Sequence, residues 1–274
     1  MKYSPVDINN NIKKYDFNFK KKFGQNFIAD ENIINSIVEK SDINSDTLVV
    51  EVGPGAGSLT YKLSQKAKWV LCYEIDETVK EMLSSNLSDC NNVTVLYEDF
   101  LKANLIQELK KYDYKSLYLV ANLPYYITTP IITKIIEDKI NIDKMVVMVQ
   151  KEVGDRFSAK PNTKNYNSLS LYLQYNFNIK KLMDVSRNVF VPRPNVDSIV
   201  VEFAKKDKYP VDDLDKFYKL IRDSFTQKRK NLKNNLKTYD LAKVGQVLEK
   251  YGFDLNARAE QLPLEIFVDI SNNL

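Results

Sequence analysis

The chain reads as an open α/β fold, a mostly parallel sheet covered by helices on both faces, followed by a small all-helical domain. Three observations predict this. Short apolar runs alternate with helical patterns as far as Phe203, as parallel strands and their crossover helices do. A glycine turn, Gly53-Pro54-Gly55-Ala56-Gly57, joins one such run to a helical pattern, an arrangement that lets a ligand approach bare backbone at a helix start. Beyond Lys205 the strand patterns stop, and from Leu214 on the chain reads as helix throughout. The 274 residues, 44% of them hydrophobic, suffice for one large domain and a smaller one. The expected division is a basic, partly flexible arm over residues 1–22, the α/β domain over 23–205 and the helical domain over 206–274.

In the arm, Lys13, Lys14, Lys20, Lys21 and Lys22 outnumber Asp7 and Asp16. Phe23-Gly24-Gln25-Asn26-Phe27-Ile28 ends the charge run. Asp30 can cap a helix over Glu31–Lys40, whose Ile33, Ile34, Ile37 and Val38 share a face. Strands are expected over 47–52, 69–73, 93–97, 117–121, 145–149 and 199–203. Ser58 opens a helix after the glycine turn. A further helix is expected over 101–111, and Thr128 or Thr129 can cap another that carries Pro130 in its first turn. Residues 151–157 look helical, 158–167 form a polar loop, and 169–177 fit either helix or strand. Phe190 to Ser198 is a loop set by Pro192 and Pro194. Between Lys216 and Lys237 eight Lys/Arg face one acid, Asp223, and are interleaved with Phe217, Tyr218, Phe225 and Leu232. A helix there could bury one side and offer a basic one to a phosphate backbone, or the charges could simply be a solvated face.

Composition excludes several chemistries. No histidine is present, which rules out His-based triads and a His-ligated metal, and no metal is expected. Cys72 and Cys90, the only cysteines, are too few for a disulfide framework or a zinc site, and a reducing cytoplasm is the simplest compartment. No apolar run approaches the ~20 residues of a membrane span, and the N-terminus lacks a signal-peptide apolar core. Without a heptad seam or an extra apolar stripe, a monomer is expected.

Chemistry gathers at strand ends. Glu74, followed by Ile75, lies 21 residues beyond Gly53, a distance at which an acid can accept from ribose hydroxyls. The Gly-x-Gly-x-Gly spacing differs from the dinucleotide pattern, yet does not by itself separate NAD from S-adenosylmethionine. Asp99 beside Phe100 could accept from an adenine amine while the ring stacks, or could cap the following helix. Asn122-Leu123-Pro124-Tyr125 closes the fourth of these strands. The Asn122 oxygen and a backbone carbonyl can accept both hydrogens of an exocyclic amine. Pro124 restricts Leu123 to extended conformations, and Tyr125 offers a stacking face. The bland alternative is a strand followed by an Asn-Pro-type turn.

Together Phe23 to Phe27, Val50 to Gly57 with Leu59-Thr60, Glu74-Ile75-Asp76, Asp99, Asn122 to Tyr125, Val149 to Val153, Phe190 to Ser198, Phe225 to Leu232 and Arg258-Ala259-Glu260 resemble the KsgA-type ribosomal RNA small-subunit adenine dimethyltransferases, from about Lys21 to Phe267. The resemblance implies a seven-stranded, Rossmann-like S-adenosylmethionine-dependent methyltransferase sheet with a small all-helical C-terminal domain. It implies S-adenosylmethionine held by Asn26, Ile28, Gly53, Glu74, Asp99 and Asn122, with Gln25, Gly55, Ile75 and Phe100 beside them. Asn122, Leu123, Pro124, Tyr125 and Phe190 would form the catalytic group, with Tyr125 and Phe190 on opposite faces of the target base. Lys21, Lys22, Arg222, Lys228, Arg229, Lys230 and Lys233 would meet RNA. The implied substrate is two adjacent adenines near the 3′ end of 16S small-subunit rRNA, each methylated twice at N6, and the implied partner is the pre-30S particle. Ile28 stands where leucine is more usual. Asn167 stands where glycine is expected, which leaves the local turn open.

Competing readings are a 23S rRNA adenine methylase of the macrolide-resistance type and an RNA-binding assembly factor without turnover. Val196-Asp197-Ser198 and Arg258-Ala259-Glu260 favour the small-subunit family. The intact Gly53, Glu74, Asp99 and Asn122 set speaks for turnover. A DNA adenine methylase would carry an acid where Asn122 stands.

Overall fold

A computed structural model describes residues 5–20, 23–207 and 209–274. Two compact units emerge, residues up to Gly154 with Lys180–Lys205, and Asp155–Ile179 with Lys206–Leu274. The division departs from the sequence expectation: residues 155–179 group with the C-terminal helices rather than with the α/β domain. Their burial explains this. Tyr166 donates through Oη to the Leu262 carbonyl at 2.9 Å, and Tyr172 through Oη to that of Tyr218 at 3.0 Å.

The sheet of the first unit contains β2 (Thr47–Val52), β3 (Trp69–Tyr73), β4 (Val93–Leu96), β5 (Ser116–Asn122), β6 (Lys144–Gln150), β7 (Phe177–Val185) and β9 (Ser198–Lys205). Their order is β4-β3-β2-β5-β6-β9-β7. The first five are parallel, and β9 runs antiparallel to β6. β2 is buried at every residue, as expected of a central strand covered on both faces. A two-residue ribbon pairs β1 (Phe27–Ile28) with β8 (Phe190–Val191).

Helices α2 (Glu31–Lys40), α3 (Ser58–Ser64), α4 (Lys80–Asn86), α5 (Leu105–Leu109), α6 (Thr128–Glu137) and α7 (Lys151–Phe157) connect the strands. Asp30 caps α2 by accepting from Asn32 N and Ile33 N, as its position implied. The helix expected over 101–111 shrinks to α5. Asp99 holds a turn ahead of it through Leu101 N, and Asn104 caps the helix by accepting from Gln107 N. Neither threonine caps α6: Ile127 occupies that position, and Thr128 Oγ1 donates back to the Pro124 carbonyl at 3.2 Å.

The arm is more ordered than its charge suggests, since Pro5–Lys14 form α1. After it Phe17 and Phe19 pack on Phe27, with ring centroids 5.6 and 5.1 Å away, in a cluster with Met82, Leu83 and Leu87. Aromatics spaced through a polar stretch thus bury where charge alone predicted solvation.

The second unit holds α8 (Ser168–Asn176), α9 (Leu214–Ser224), α10 (Leu232–Asn235), α11 (Leu241–Lys250) and α12 (Leu264–Asn273). The ambiguous 169–177 stretch is therefore helix through Asn176, and Phe177 opens β7. Asn167, in extended backbone, caps the helix: its side chain accepts from Ser170 N while Asn167 N donates to Ser170 Oγ, so no glycine is needed there. Phe217, Ile221, Leu232, Leu236, Val244, Leu248 and Phe267 form the buried interior. Residues 225–230 form a turn, not the continuous helix expected from Leu214 on. Asn231 ends that turn by accepting from Asn234 N, which starts α10.

Candidate active site

The strand order decides where the site lies. From β2 the chain passes to β3 on one side and only later to β5 on the other. An open α/β sheet forms its ligand crevice at such a switch point, outside the carboxyl ends of the strands. Gly53 follows β2 directly, Asn122 is the last residue of β5, and a Cβ on Gly53 would lie 3.5 Å from Pro124 Cγ. At Gly55 the backbone has φ +54°, and a Cβ would come 2.6 Å from the Phe27 ring. Both the left-handed backbone and the close approach require glycine.

The cleft between these ends spans about 920 Å³ of space open to solvent on one side. Gln25, Asn26, Ile28, Gly53, Gly55, Glu74, Ile75, Asp99, Phe100, Asn122, Leu123, Pro124 and Tyr125 all line it. Residues 100 apart in sequence thus meet as the motifs implied. Phe190 is the exception. Its ring is buried in the core cluster with Ile28, Ile34 and Val200, because β8 pairs Phe190 with Ile28. It does not line the cleft.

The charged residues of the lining are Glu51, Glu74, Glu98 and Asp99; among the described residues no Lys or Arg joins them. Glu74 accepts from Gly55 N at 3.1 Å and Asp76 N at 2.8 Å, and burial raises its carboxyl although these amides counter part of the effect. Beneath it Glu51, 2% exposed, is pushed up to about 8 by burial, with the Glu74 charge adding to the rise. Cys72 Sγ lies 3.7 Å from Glu51 Oε2. Asp99 lines the cleft and uses Oδ1 to hold Leu101 N at 3.0 Å, while Asn104, not Asp99, caps the following helix. Phe100 is buried edge-on to Tyr73, centroids 5.1 Å apart.

Asn122 donates through Nδ2 to the Asn26 carbonyl at 2.9 Å. Among the described residues neither its Oδ1 nor the Leu123 carbonyl accepts a hydrogen bond. The pair of acceptors the tetrad suggested is therefore free, and one member is oriented. Tyr125 Oη is 2.7 Å from Ser198 Oγ on β9, and burial raises its hydroxyl.

Further residues, not named as site candidates from the sequence, also contribute. Phe23, Phe27, Tyr73 and Tyr126 line the cleft, and Tyr126 is 51% exposed there. Asp76 was visible only as the third residue of Glu74-Ile75-Asp76. It is 1% exposed and accepts from Lys20 Nζ and Gln25 Nε2, each at 2.7 Å. Burial alone would raise its carboxyl; hydrogen bonds from Lys20, Thr78 and Gln25 outweigh that and hold it below its usual value. Gln25 meets the cleft as part of this buttress, with Oε1 accepting from Lys20 N at 2.8 Å.

The basic candidates belong to the second unit. Arg222 lies in the last turn of α9, Lys228, Arg229 and Lys230 lie in the exposed turn after it, and Lys233 is on α10. Lys228 Nζ donates to the Lys164 carbonyl at 3.1 Å, so the polar loop 158–167 adjoins this turn. Lys21 and Lys22 lie outside the described residues.

A sheet of this strand order, with a glycine turn and an acid at its switch point, defines a Rossmann-like methyltransferase fold. The fold of a dimethyladenosine transferase from Plasmodium falciparum superposes with TM-score 0.71 at 24% identity, covering 89% of this chain and 95% of that one. The 23S rRNA methyltransferase ErmE superposes with TM-score 0.69 at 25% identity, covering 90% and 99%. The ribosomal RNA small subunit methyltransferase A of Bacillus mycoides is 42% identical over 273 residues, 96% of this chain and 94% of the relative, and the Bacillus anthracis protein of that name matches equally. The family model for ribosomal RNA adenine dimethylases matches residues 16–274, and the chain belongs to that family.

Proposed function

We propose that the protein transfers methyl groups from S-adenosylmethionine to N6 of two adjacent adenines in 16S rRNA, two to each, during small-subunit biogenesis. The observation that carries this is the Asn122 amide, held by the Asn26 carbonyl so that its oxygen is left to accept, at a cleft whose charges are all acidic. The lining fits an adenosyl sulfonium. Glu74 and Asp99 are acceptors for ribose hydroxyls and the adenine amine, and the acids favour a cation. A pyrophosphate would meet these acids with no basic side chain among the described lining residues, which disfavours a dinucleotide.

S-adenosylmethionine supplies an electrophilic methyl on a positively charged sulfur. The chain positions the nucleophile. Asn122 Oδ1 and the Leu123 carbonyl accept the two N–H bonds of the target amine, drawing its lone pair out of ring conjugation. Methyl transfer would form the nitrogen–carbon bond as the carbon–sulfur bond breaks, leaving a neutral thioether, and the nitrogen's proton would pass to solvent. That proton is acidic only as charge develops, so no histidine is required. Most of the rate gain is positioning and electrostatic stabilisation. Extracting the base costs a few kcal/mol, and stacking on Tyr125 returns roughly 1–3 kcal/mol. Tyr126 offers a further aromatic face at the mouth.

The small-subunit target is favoured over the large-subunit one because the small-subunit relatives are 42% identical and ErmE 25%. The reading extends to the pre-30S particle as partner, met by the Arg222–Lys233 region, and to a monomer in the cytoplasm. No helix among the described residues is long and apolar enough to cross a membrane. Methyl-labelled donor incubated with unmethylated small and large subunits, followed by mapping of dimethyladenosine, tests the proposal. Label confined to two neighbouring adenines of the small-subunit RNA is expected; label in the large-subunit RNA, or none, overturns it.

A further inference from the structure

The orientation of the Asn122 amide has a cause that lies outside the cleft. A primary amide is nearly symmetric in shape, and a half-turn exchanges its acceptor for a donor. A donor facing an amine could not accept from it. The Asn26 carbonyl prevents that half-turn, because a carbonyl can pair only with Nδ2. That carbonyl lies in a short irregular segment outside the sheet, so it must itself be held in place.

Asp76 holds it by accepting from three side chains and one amide. Its Oδ2 accepts from Gln25 Nε2 at 2.7 Å. Its Oδ1 accepts from Lys20 Nζ at 2.7 Å, Thr78 Oγ1 at 2.7 Å and Thr78 N at 3.1 Å. Gln25 in turn accepts Lys20 N on Oε1 at 2.8 Å, so Lys20 and Gln25 are tied to each other as well as to the acid. Asn26 Nδ2 closes on the Gly24 carbonyl at 3.0 Å. The acid itself is buried and stands on the turn after β3, where its N–H donates to Glu74 Oε1 at 2.8 Å. One residue therefore fastens the segment that orients Asn122 and also braces Glu74.

We propose that Asp76 and Gln25 are positioning residues for methyl transfer, forming a clasp that keeps the Asn122 amide oxygen turned toward the target amine. The proposal rests on the reaction given above. The clasp acts on Asn122 through Asn26, and although Gln25 also lines the cleft, breaking it lowers turnover more than it lowers binding of either reactant.

A reciprocal exchange tests this in the full-length protein. Asp76→Asn places an amide against the Gln25 amide, and Gln25→Glu places a carboxylate against the Asp76 carboxylate. Either one alone breaks the pair. Together they restore a carboxylate facing an amide with the roles reversed. Each single variant is expected to lower kcat roughly 10- to 100-fold, below the loss for removing a direct transition-state donor. Affinity for small subunits should stay within about threefold, any loss of S-adenosylhomocysteine affinity should be smaller than the loss of kcat, and the double variant should recover most of the lost kcat. Unchanged kcat in the singles overturns the proposal. So does a parallel loss of S-adenosylhomocysteine affinity and melting temperature that the double variant leaves uncorrected, since that marks a brace of general stability.

A second arm needs no RNA. The Asn122 side-chain amide resonances, assigned with Asn122→Ala, should shift or broaden in Asp76→Asn and return in the double variant. Resonances unmoved in the singles overturn the clasp. Should the wild-type protein methylate no adenine, the reaction itself is refuted, while this arm still decides whether the clasp exists.

Discussion

The cleft of the first unit and the turn after α9 in the second sort charge in opposite ways. The cleft gathers four acids, two of them nearly buried, around bare glycine backbone. The turn exposes three consecutive basic residues, Lys228, Arg229 and Lys230. A formal net charge of +4 conceals this division. Buried acids discriminate at short range, where a low dielectric strengthens each interaction. Exposed cations act at long range, are screened by salt and suit a polyanion of any sequence. A small cationic donor and a large anionic substrate therefore call for different surfaces.

Four variants break or sharpen that contrast. Asn122→Ala removes the oriented acceptor from the cleft, so methyl transfer should fall by roughly 10²–10³-fold while RNA affinity in a filter-binding assay stays unchanged. Gly55→Ala forces a Cβ toward the Phe27 ring in left-handed backbone. It should cost about 1–3 kcal/mol of stability and weaken S-adenosylhomocysteine binding in calorimetry, again sparing RNA affinity. Charge reversal at Arg229 and Lys230 should do the opposite. RNA binding should weaken, with its salt slope lowered by roughly one unit for each phosphate no longer neutralised, and donor affinity should hold.

Glu51→Gln has the smallest expected effect. The Glu51 carboxyl sits at about 8 in the folded protein against an ordinary 4.5. The native state then retains a proton that the unfolded chain releases. Stability is full below about 4.5, falls as pH rises through about 8 and levels off above. Melting temperatures measured from pH 5 to 9 should decline less steeply in Glu51→Gln than in the wild type.

The sequence carried the parts of this arrangement that are local. The strand β2, its glycine turn and Glu74 were legible because a buried parallel strand is a continuous apolar run and a tight turn needs glycine. Asn122 to Tyr125 stood out as polar and aromatic residues at the end of such a run. The position of Phe190 was not legible, because it is set by pairing with Ile28, 162 positions away, and no local pattern encodes that register. Much of β7 went unseen since Phe177–Val185 is mostly part-exposed and carries Lys180 and Lys181 side by side, which blurs the alternation of a half-buried strand. The boundary near residue 155 was hidden for a similar reason. What assigns 155–179 to the helical unit is the reach of Tyr166 and Tyr172 to distant carbonyls. Asp76 entered only as the third residue of Glu74-Ile75-Asp76, and its distant donors reveal what it holds together.

The bond between Tyr125 Oη and Ser198 Oγ ties the end of β5 to the start of β9, two strands separated in the sheet by β6. An aromatic side chain fastened at its far tip has already surrendered its freedom to swing before any guest arrives. A flat guest that settles against it need not meet that entropic charge, and more of the attraction survives as grip. Ser198, the first residue of β9, then serves as the anchor of that platform.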